Sequence, residues 1–305
     1  MSADAPTFDL RTYLDGERAR VEEALERALE RWRGALPPPV RDAVRYGVLG
    51  GGKRLRPILC VTAYRVCGGT GPDVRAHELG ASLELVHAYS LMHDDLPCMD
   101  DAELRRGRAT THRVHGEWAA TRGGAALIPM AVATAFEAAR GLGCPPDRAR
   151  AVARLLCGAA GAGGMVGGQA LDLLAEGTRP GEEALERLHG LKTGALLAAS
   201  LSMGALAADA QEEVRRGLDA YGRAIGLAFQ IADDILDATA TAGELGKNPS
   251  DRVHDKSTYV AMHGLDGART RARTKVQEAR SALDRTGVDA PALHALARYV
   301  VERRR

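Results

Sequence analysis

Two acidic clusters stand out in the chain. The first reads His93-Asp94-Asp95-Leu96-Pro97-Cys98-Met99-Asp100-Asp101, and the second Gln230-Ile231-Ala232-Asp233-Asp234-Ile235-Leu236-Asp237. Both fall in otherwise apolar stretches with helical patterning. Aspartate is rarely buried without a partner, so such clusters call for cations. Hard cations with oxygen ligands and phosphate substrates, above all Mg²⁺, fit best. Asp233 and Asp237 are four apart and share a helix face, with Asp234 beside them. In the first cluster an ideal helix puts Asp101 on the face of Asp94 and rotates Asp100 away. Pro97 lies between and removes a helix hydrogen bond, so the helix is expected to distort there. Spacing alone does not choose between Asp100 and Asp101. Two solvated acidic faces are the plain alternative, which the apolar flanks and the basic elements oppose.

Those basic elements suit a phosphate ligand. Gly50-Gly51-Gly52-Lys53-Arg54-Leu55-Arg56-Pro57 is a glycine-rich turn with three cations before a helix. Backbone amides and basic side chains at a helix start fit a diphosphate. Arg105-Arg106-Gly107 follows the first acidic cluster, and planar guanidinium groups could clamp a metal–diphosphate complex there. Lys192-Thr193-Gly194 and Gly246-Lys247 are weaker signals. His87 lies seven residues before Asp94 and so lines the same helix face.

The elements that must hold these residues are helical. The chain has 305 residues, 45% hydrophobic but only 4% aromatic, and much of the apolar content is Ala and Leu. That composition favours helix. Periodicity places helices over Leu10–Trp32, Pro39–Tyr46, Pro57–Val66, Val74 through the first cluster, Ala119–Ala139, Asp147–Cys157, Met165–Leu174, Glu182–Leu188, Gly194–Ala207, Gln211–Ala238, Lys256–His263, Ala268–Thr286 and Pro291–Arg303. No alternating strand pattern and no linker emerge, so residues 1–305 are read as a single all-α domain with a pocket between helices. Gly161–Gly168 leads into helix rather than following a strand, which makes it a close-packing segment, not a dinucleotide fingerprint. A net charge of +1 gives no field for nucleic acid. Five scattered cysteines with no CxxC pair fit a reducing compartment. The N-terminus lacks a signal-peptide pattern and no run of about 18 apolar residues occurs, so a cytoplasmic protein without a membrane span is expected.

At this point the residues resemble a known family, the trans-isoprenyl diphosphate synthases (polyprenyl synthetases), closest to the bacterial short-chain farnesyl diphosphate synthases. The motifs are GGKRLRP at 51–57, HAYSLMHDDLPCMDDAELRRGRATTH at 87–112, GGQALDLLAEG at 167–177, KTGALL at 192–197, GLAFQIADDILD at 226–237, LGK at 245–247 and DKSTY at 255–259. The resemblance implies an isoprenoid synthase-type helical bundle around a deep central pocket, in a homodimer. It implies that Asp94, Asp95 and Asp100, with Asp233, Asp234 and Asp237, hold Mg²⁺, three ions per active site, on an allylic diphosphate. Arg105, Lys192, Thr193, Gln230, Lys247 and Lys256 would surround that substrate. Lys53, Arg56, His87 and Arg106 would bind isopentenyl diphosphate. The implied chemistry is ionisation of the allylic diphosphate, attack by the isopentenyl double bond and loss of a proton.

In similar enzymes bulk just below the first motif forms the pocket floor. Tyr89 and Ser90 hold those positions here, and the size of Tyr89 predicts a C15 product, farnesyl diphosphate; geranyl or geranylgeranyl diphosphate is the alternative. A sideways packing of Tyr89 against a neighbouring helix competes with that role. The chain departs from the family pattern at Arg122, Ala125 and Pro129, on a helix that commonly serves both the dimer face and the pocket wall. Two other classes compete. A class I terpene cyclase needs no isopentenyl diphosphate site, so Lys53, Arg56 and Arg106 oppose it. A non-catalytic partner subunit could lose metal ligands, and both motifs are complete.

Overall fold

The computed structural model describes residues 8–175, 177–178, 180–239 and 258–302. Helices dominate. In chain order they are α1 (Leu10–Arg31), α2 (Pro38–Val48), α3 (Leu55–Val66), α4 (Asp73–Asp94), α5 (Thr111–His115), α6 (Glu117–Gly141), α7 (Pro146–Ala160), α8 (Met165–Ala175), α9 (Glu182–His189), α10 (Ala195–Ala207), α11 (Glu212–Thr239), α12 (Tyr259–Asp284) and α13 (Pro291–Glu302). The ends follow local chemistry. Asp9 caps α1 by accepting the Thr12 amide at 3.2 Å. Proline opens α2 and α7, where the missing N–H costs nothing.

The expected all-α architecture is present, with three differences beside the added short helix α5. The helices expected at 256–263 and 268–286 are joined, in their described part, as the single element α12, bent at Gly264, whose φ of 68° is non-helical, and residues 256–257 lie outside the described residues. A two-stranded hairpin, β1 (Leu104–Arg105) and β2 (Arg108–Ala109), follows the first acidic cluster. Its two loop residues, Arg106 and Gly107, have φ of 54° and 74°, the geometry that suits a tight hairpin. Two-residue strands leave no alternation for a sequence to display. Third, α4 stops at Asp94 instead of running through the first cluster.

Helix α4 is buried on most of its circumference and packs against α1, α3 and α6. Helices α3 and α10 form a wall between two cores. Ile58, Cys60, Val61 and Tyr64 of α3 join the core built on α1, α4, α6 and α7. Leu59 and Ala63 join the other, built on α10, α11, α12 and α13. The wall is tight: a Cβ on Gly204 would meet the Cys60 carbonyl oxygen at 2.1 Å.

Two stretches, Pro146–Ala175 and Glu182–Ala207, reach the length and apolarity of a membrane span, contrary to the expectation of none. The second is mostly buried in the core. The first is broken at Gly161 into helices of 15 and 11 residues, each shorter than a bilayer core of about 30 Å requires. All five cysteines are unpaired thiols.

Polar residues zip α1 to α3 and α4. Glu17, 3% exposed, meets His77 Nε2 at 2.9 Å and Arg65 at 2.9 Å. Burial alone would raise its pKa, but the hydrogen bonds from His77 and Arg65 outweigh that and hold it at about 2, against 4.5 for an ordinary glutamate. A lowered folded pKa gives stability that is present above pH 4.5 and lost as pH falls towards 2. Glu17→Gln should therefore lose roughly 3 kcal/mol at pH 7. In denaturant melts the gap to the parent protein should narrow between pH 4.5 and 3.

Candidate active site

The acidic side is built at the end of α4. Pro97 has no N–H for the His93 carbonyl, and the Leu96 amide takes it instead, at 3.1 Å. The chain then folds back, with Asp100 N–H on the Asp94 carbonyl at 2.9 Å and Ala102 N–H on the Asp95 carbonyl at 3.3 Å. This turn returns Asp100 to the neighbourhood of Asp94. Asp101 is exposed, with φ 45°. An ideal helix favoured Asp101; the folded turn brings in Asp100, because the helix has already ended.

Burial, with repulsion from Asp100 and Asp95, raises Asp94 to about 6 although Lys192 and Arg105 pull it down. Burial also raises Asp95, which accepts from Arg105 Nε at 2.7 Å. Carboxylates buried beside one another, with their ionised form disfavoured by burial, are the setting that a bound cation relieves.

Lys192 and Thr193 sit on a widened helical turn, Gly190–Gly194, between α9 and α10. Such turns recur at functional sites. Helix α8 presses against it: a Cβ on Gly168 would fall 2.2 Å from the Lys192 amide nitrogen. This agrees with reading the glycine-rich segment as close packing. Lys192 Nζ bonds Asp172 Oδ2 at 2.5 Å. Thr193 Oγ1 donates to Gln230 Oε1 at 3.2 Å, and Gln230 Nε2 donates to Asp234 Oδ1 at 3.3 Å.

The three aspartates of the second cluster divide. Asp233 and Asp237 are half-buried, one turn apart on α11. Asp234 is 4% exposed, and its other oxygen accepts the Tyr259 amide at 2.9 Å, tying α11 to the start of α12. Among the described residues, no three carboxylate, thiolate or imidazole groups converge on one metal position. The donors are hard oxygens, two or three to a side, which suits Mg²⁺ shared with phosphate oxygens and water.

The basic side surrounds His87. Arg56, Arg106, Arg105 and Arg54 all lie close enough to lower its pKa, and with burial they keep the imidazole neutral. Arg56 is raised by Glu84 and Asp233 but lowered more by burial, and its buried Nε has no hydrogen-bond partner. Arg106, at the tip of the hairpin, bonds the Gly51 carbonyl. Tyr46 Oη donates to the Ala109 carbonyl at 2.7 Å, anchoring the hairpin to α2. Lys53 is exposed at the rim. Arg54, the third cation of the turn and not among the expected ligands, is buried in ion pairs with Glu22 and Glu84. An excess of guanidinium around a neutral imidazole is an anion site.

The two sides meet. The Asp233 charge reaches Arg56 and the Lys192 charge reaches Asp94. Tyr89, 7% exposed, packs edge-on to His93 at 5.5 Å between ring centroids. His93 in turn contacts the Thr121 carbonyl of α6 at 3.0 Å, so Tyr89 lies at the α4–α6 seam. Ser90 Oγ is turned back onto the His87 carbonyl at 2.9 Å. Lys247 and Lys256 lie outside the described residues. Sequence reasoning overlooked Asp172 and Glu84; Asp172 was visible inside the motif at 167–177, whereas nothing local marked Glu84.

Comparison with known proteins fits this geometry. The polyprenyl synthetase family model matches residues 37–290. The chain belongs to the polyprenyl synthetase family. It is 43% identical over 293 residues to the farnesyl diphosphate synthase of Escherichia coli, covering 93% of this chain and 97% of that protein. It is 39% identical to a chloroplastic geranylgeranyl pyrophosphate synthase of Catharanthus roseus, over 99% of this chain and 83% of the relative. A geranyltransferase structure from Helicobacter pylori, complexed with magnesium and isoprenyl diphosphate, superposes with a TM-score of 0.76 at 30% identity, over 99% of this chain and 98% of that one. The expected isoprenoid synthase fold is therefore present, and the protein is a short-chain trans-prenyltransferase.

In this synthase Gly52 carries a testable burden. Its φ of 137° is open to glycine alone, and an added Cβ would lie 2.7 Å from the Arg106 guanidinium. Gly52→Ala should displace Arg106 and weaken binding of inorganic diphosphate about tenfold in calorimetric titrations, the worth of one charged hydrogen bond.

Proposed function

We propose that the protein condenses isopentenyl diphosphate with dimethylallyl or geranyl diphosphate and releases farnesyl diphosphate. The carrying observation is the pairing of an acid-rich side with a separate arginine cluster, next to a buried tyrosine on the same helix. Two diphosphates need two sites. Asp94, Asp95, Asp100, Asp233 and Asp237 would hold Mg²⁺ on the allylic diphosphate, with three ions as the expected number. Bound there, Mg²⁺ supplies charge that stabilises the departing diphosphate. Asp234, whose oxygens are engaged by Gln230 and the Tyr259 amide, serves this set by fixing α11 against α12.

Lys192 and Arg105 lie where their donors can follow charge onto the leaving oxygens, the electrostatic contribution that counts most in such steps. Thr193 and Gln230 present oxygen dipoles beside the same position, suited to a developing allylic cation. Arg56, Arg106, Lys53 and neutral His87 would grip isopentenyl diphosphate, whose double bond then attacks. The proton goes most simply to the departing diphosphate, since the aspartates are committed as ligands.

The C15 reading rests on the position and bulk of Tyr89, about one and a half turns below Asp94 on the same helix. Its packing at the α4–α6 seam is the competing arrangement, and the product of Tyr89→Ala decides between the two. Arg122, Ala125 and Pro129, the departures from the family pattern, are all exposed, on the face of α6 that also carries Trp118 at 56% exposure. That placement offers a face for the proposed homodimer.

Purified protein with Mg²⁺ and isopentenyl diphosphate, given C5, C10 or C15 allylic partners, should accumulate C15 product. No elongation with any partner would sink the assignment, and a dominant C20 product would move it to geranylgeranyl diphosphate. Tyr89→Ala should lengthen the product to C20 or beyond in chromatography of the hydrolysed prenols. An unchanged length distribution would remove Tyr89 as the floor.

A further inference from the structure

We propose that Glu84, with Arg54, is a positioning pair that sets affinity for isopentenyl diphosphate by holding the glycine-rich turn in its binding shape. This rests on the reading of the arginine cluster as the isopentenyl diphosphate site. Glu84 lies three residues before His87 on α4, so the two share a face. It is 2% exposed, and Arg54 Nη1 donates to its Oε1 at 2.6 Å. The Arg54 guanidinium also bonds Glu22 Oε1 at 2.7 Å and the Val48 carbonyl at 2.9 Å. Three anchors from α1, α2 and α4 therefore converge on one side chain.

What they hold is a backbone that is costly to form. Arg54 has φ 51° and ψ 34°, a left-handed conformation unfavourable to any residue with a Cβ. Surrounding structure must over-determine such a residue. Its two neighbours on the turn are Gly51 and Gly52, also at positive φ. Lys53 precedes Arg54 and Arg56 follows two residues later, so the Arg54 conformation decides where both point. Glu84 further lies near Arg56 and Arg106, whose charges it offsets.

Steady-state kinetics on the whole protein, varying each substrate at saturation of the other, tests this beside thermal melts. Glu84→Ala should raise KM for isopentenyl diphosphate about tenfold or more, leaving KM for geranyl diphosphate within about twofold. Glu84→Gln keeps the acceptor oxygen for Arg54 and should return the isopentenyl KM to within about threefold of the parent. Arg54→Lys, which loses the planar fork, should repeat the Ala effect and gives a second reading if E84A does not fold. Equal shifts in both KM values, an isopentenyl KM unchanged in E84A and R54K, or E84Q as impaired as E84A would overturn the role. Arg56→Ala separates the two levels. If it leaves the isopentenyl KM unmoved, the site reading itself fails; if it raises that KM while E84A and R54K do not, only the positioning role fails.

Discussion

Like charges gathered in a partly buried space repel, and the structure depends on restraining that repulsion on two sides of one helix. Along α4, Glu84, His87 and Asp94 follow one face over ten residues, about 15 Å of helix rise. At one end guanidinium groups crowd a neutral imidazole. At the other, burial, with Asp100 and Asp95 close by, raises Asp94 to about 6. Left flexible, the two groups would collapse into salt bridges, and such contacts exist in part, as Arg105 with Asp95 and Lys192 with Asp172. The rest stay apart because α4 is buried on nearly all sides and cannot bend to join them.

This explains why so much close packing lies away from the chemistry. The Gly168 approach to Lys192 sets the depth of the widened turn. The Gly204 approach to Cys60 fixes α10 against α3, and α3 carries Arg56. The Asp234 bond to the Tyr259 amide ties α11 to α12. Each is a backbone restraint within about one helical turn of a charged side chain of the site. Rigid placement is what electrostatic catalysis requires, since dipoles and charges that must reorganise during the step lose their advantage.

A prenyl cation must also be kept from water. The two cores flanking the α3–α10 wall supply an apolar interior, and Tyr89 at the α4–α6 seam belongs to the larger of them. On the proposed function, metal chemistry and chain length would be physically separable: the first would depend on charges at the end of α4, the second on a side-chain volume within the core.

The sequence by itself determined the all-α class, most helix limits, both acidic clusters and the family. Those features depend on composition, 3.6-residue periodicity and motifs that are continuous in the chain. The tertiary structure decided what depends on residues far apart in sequence. It brought Asp100 rather than Asp101 to Asp94, because Pro97 ends the helix and the turn folds back. It made Arg54, a cation of the turn with no role assigned from the sequence, a buried pin, because Glu22 and Glu84 meet it from two other helices. It placed Arg122, Ala125 and Pro129 on an outer face, and it gave Asp234 a backbone partner twenty-five residues away. Spacing along a chain specifies which residues share a helix face, but not which helix that face will meet.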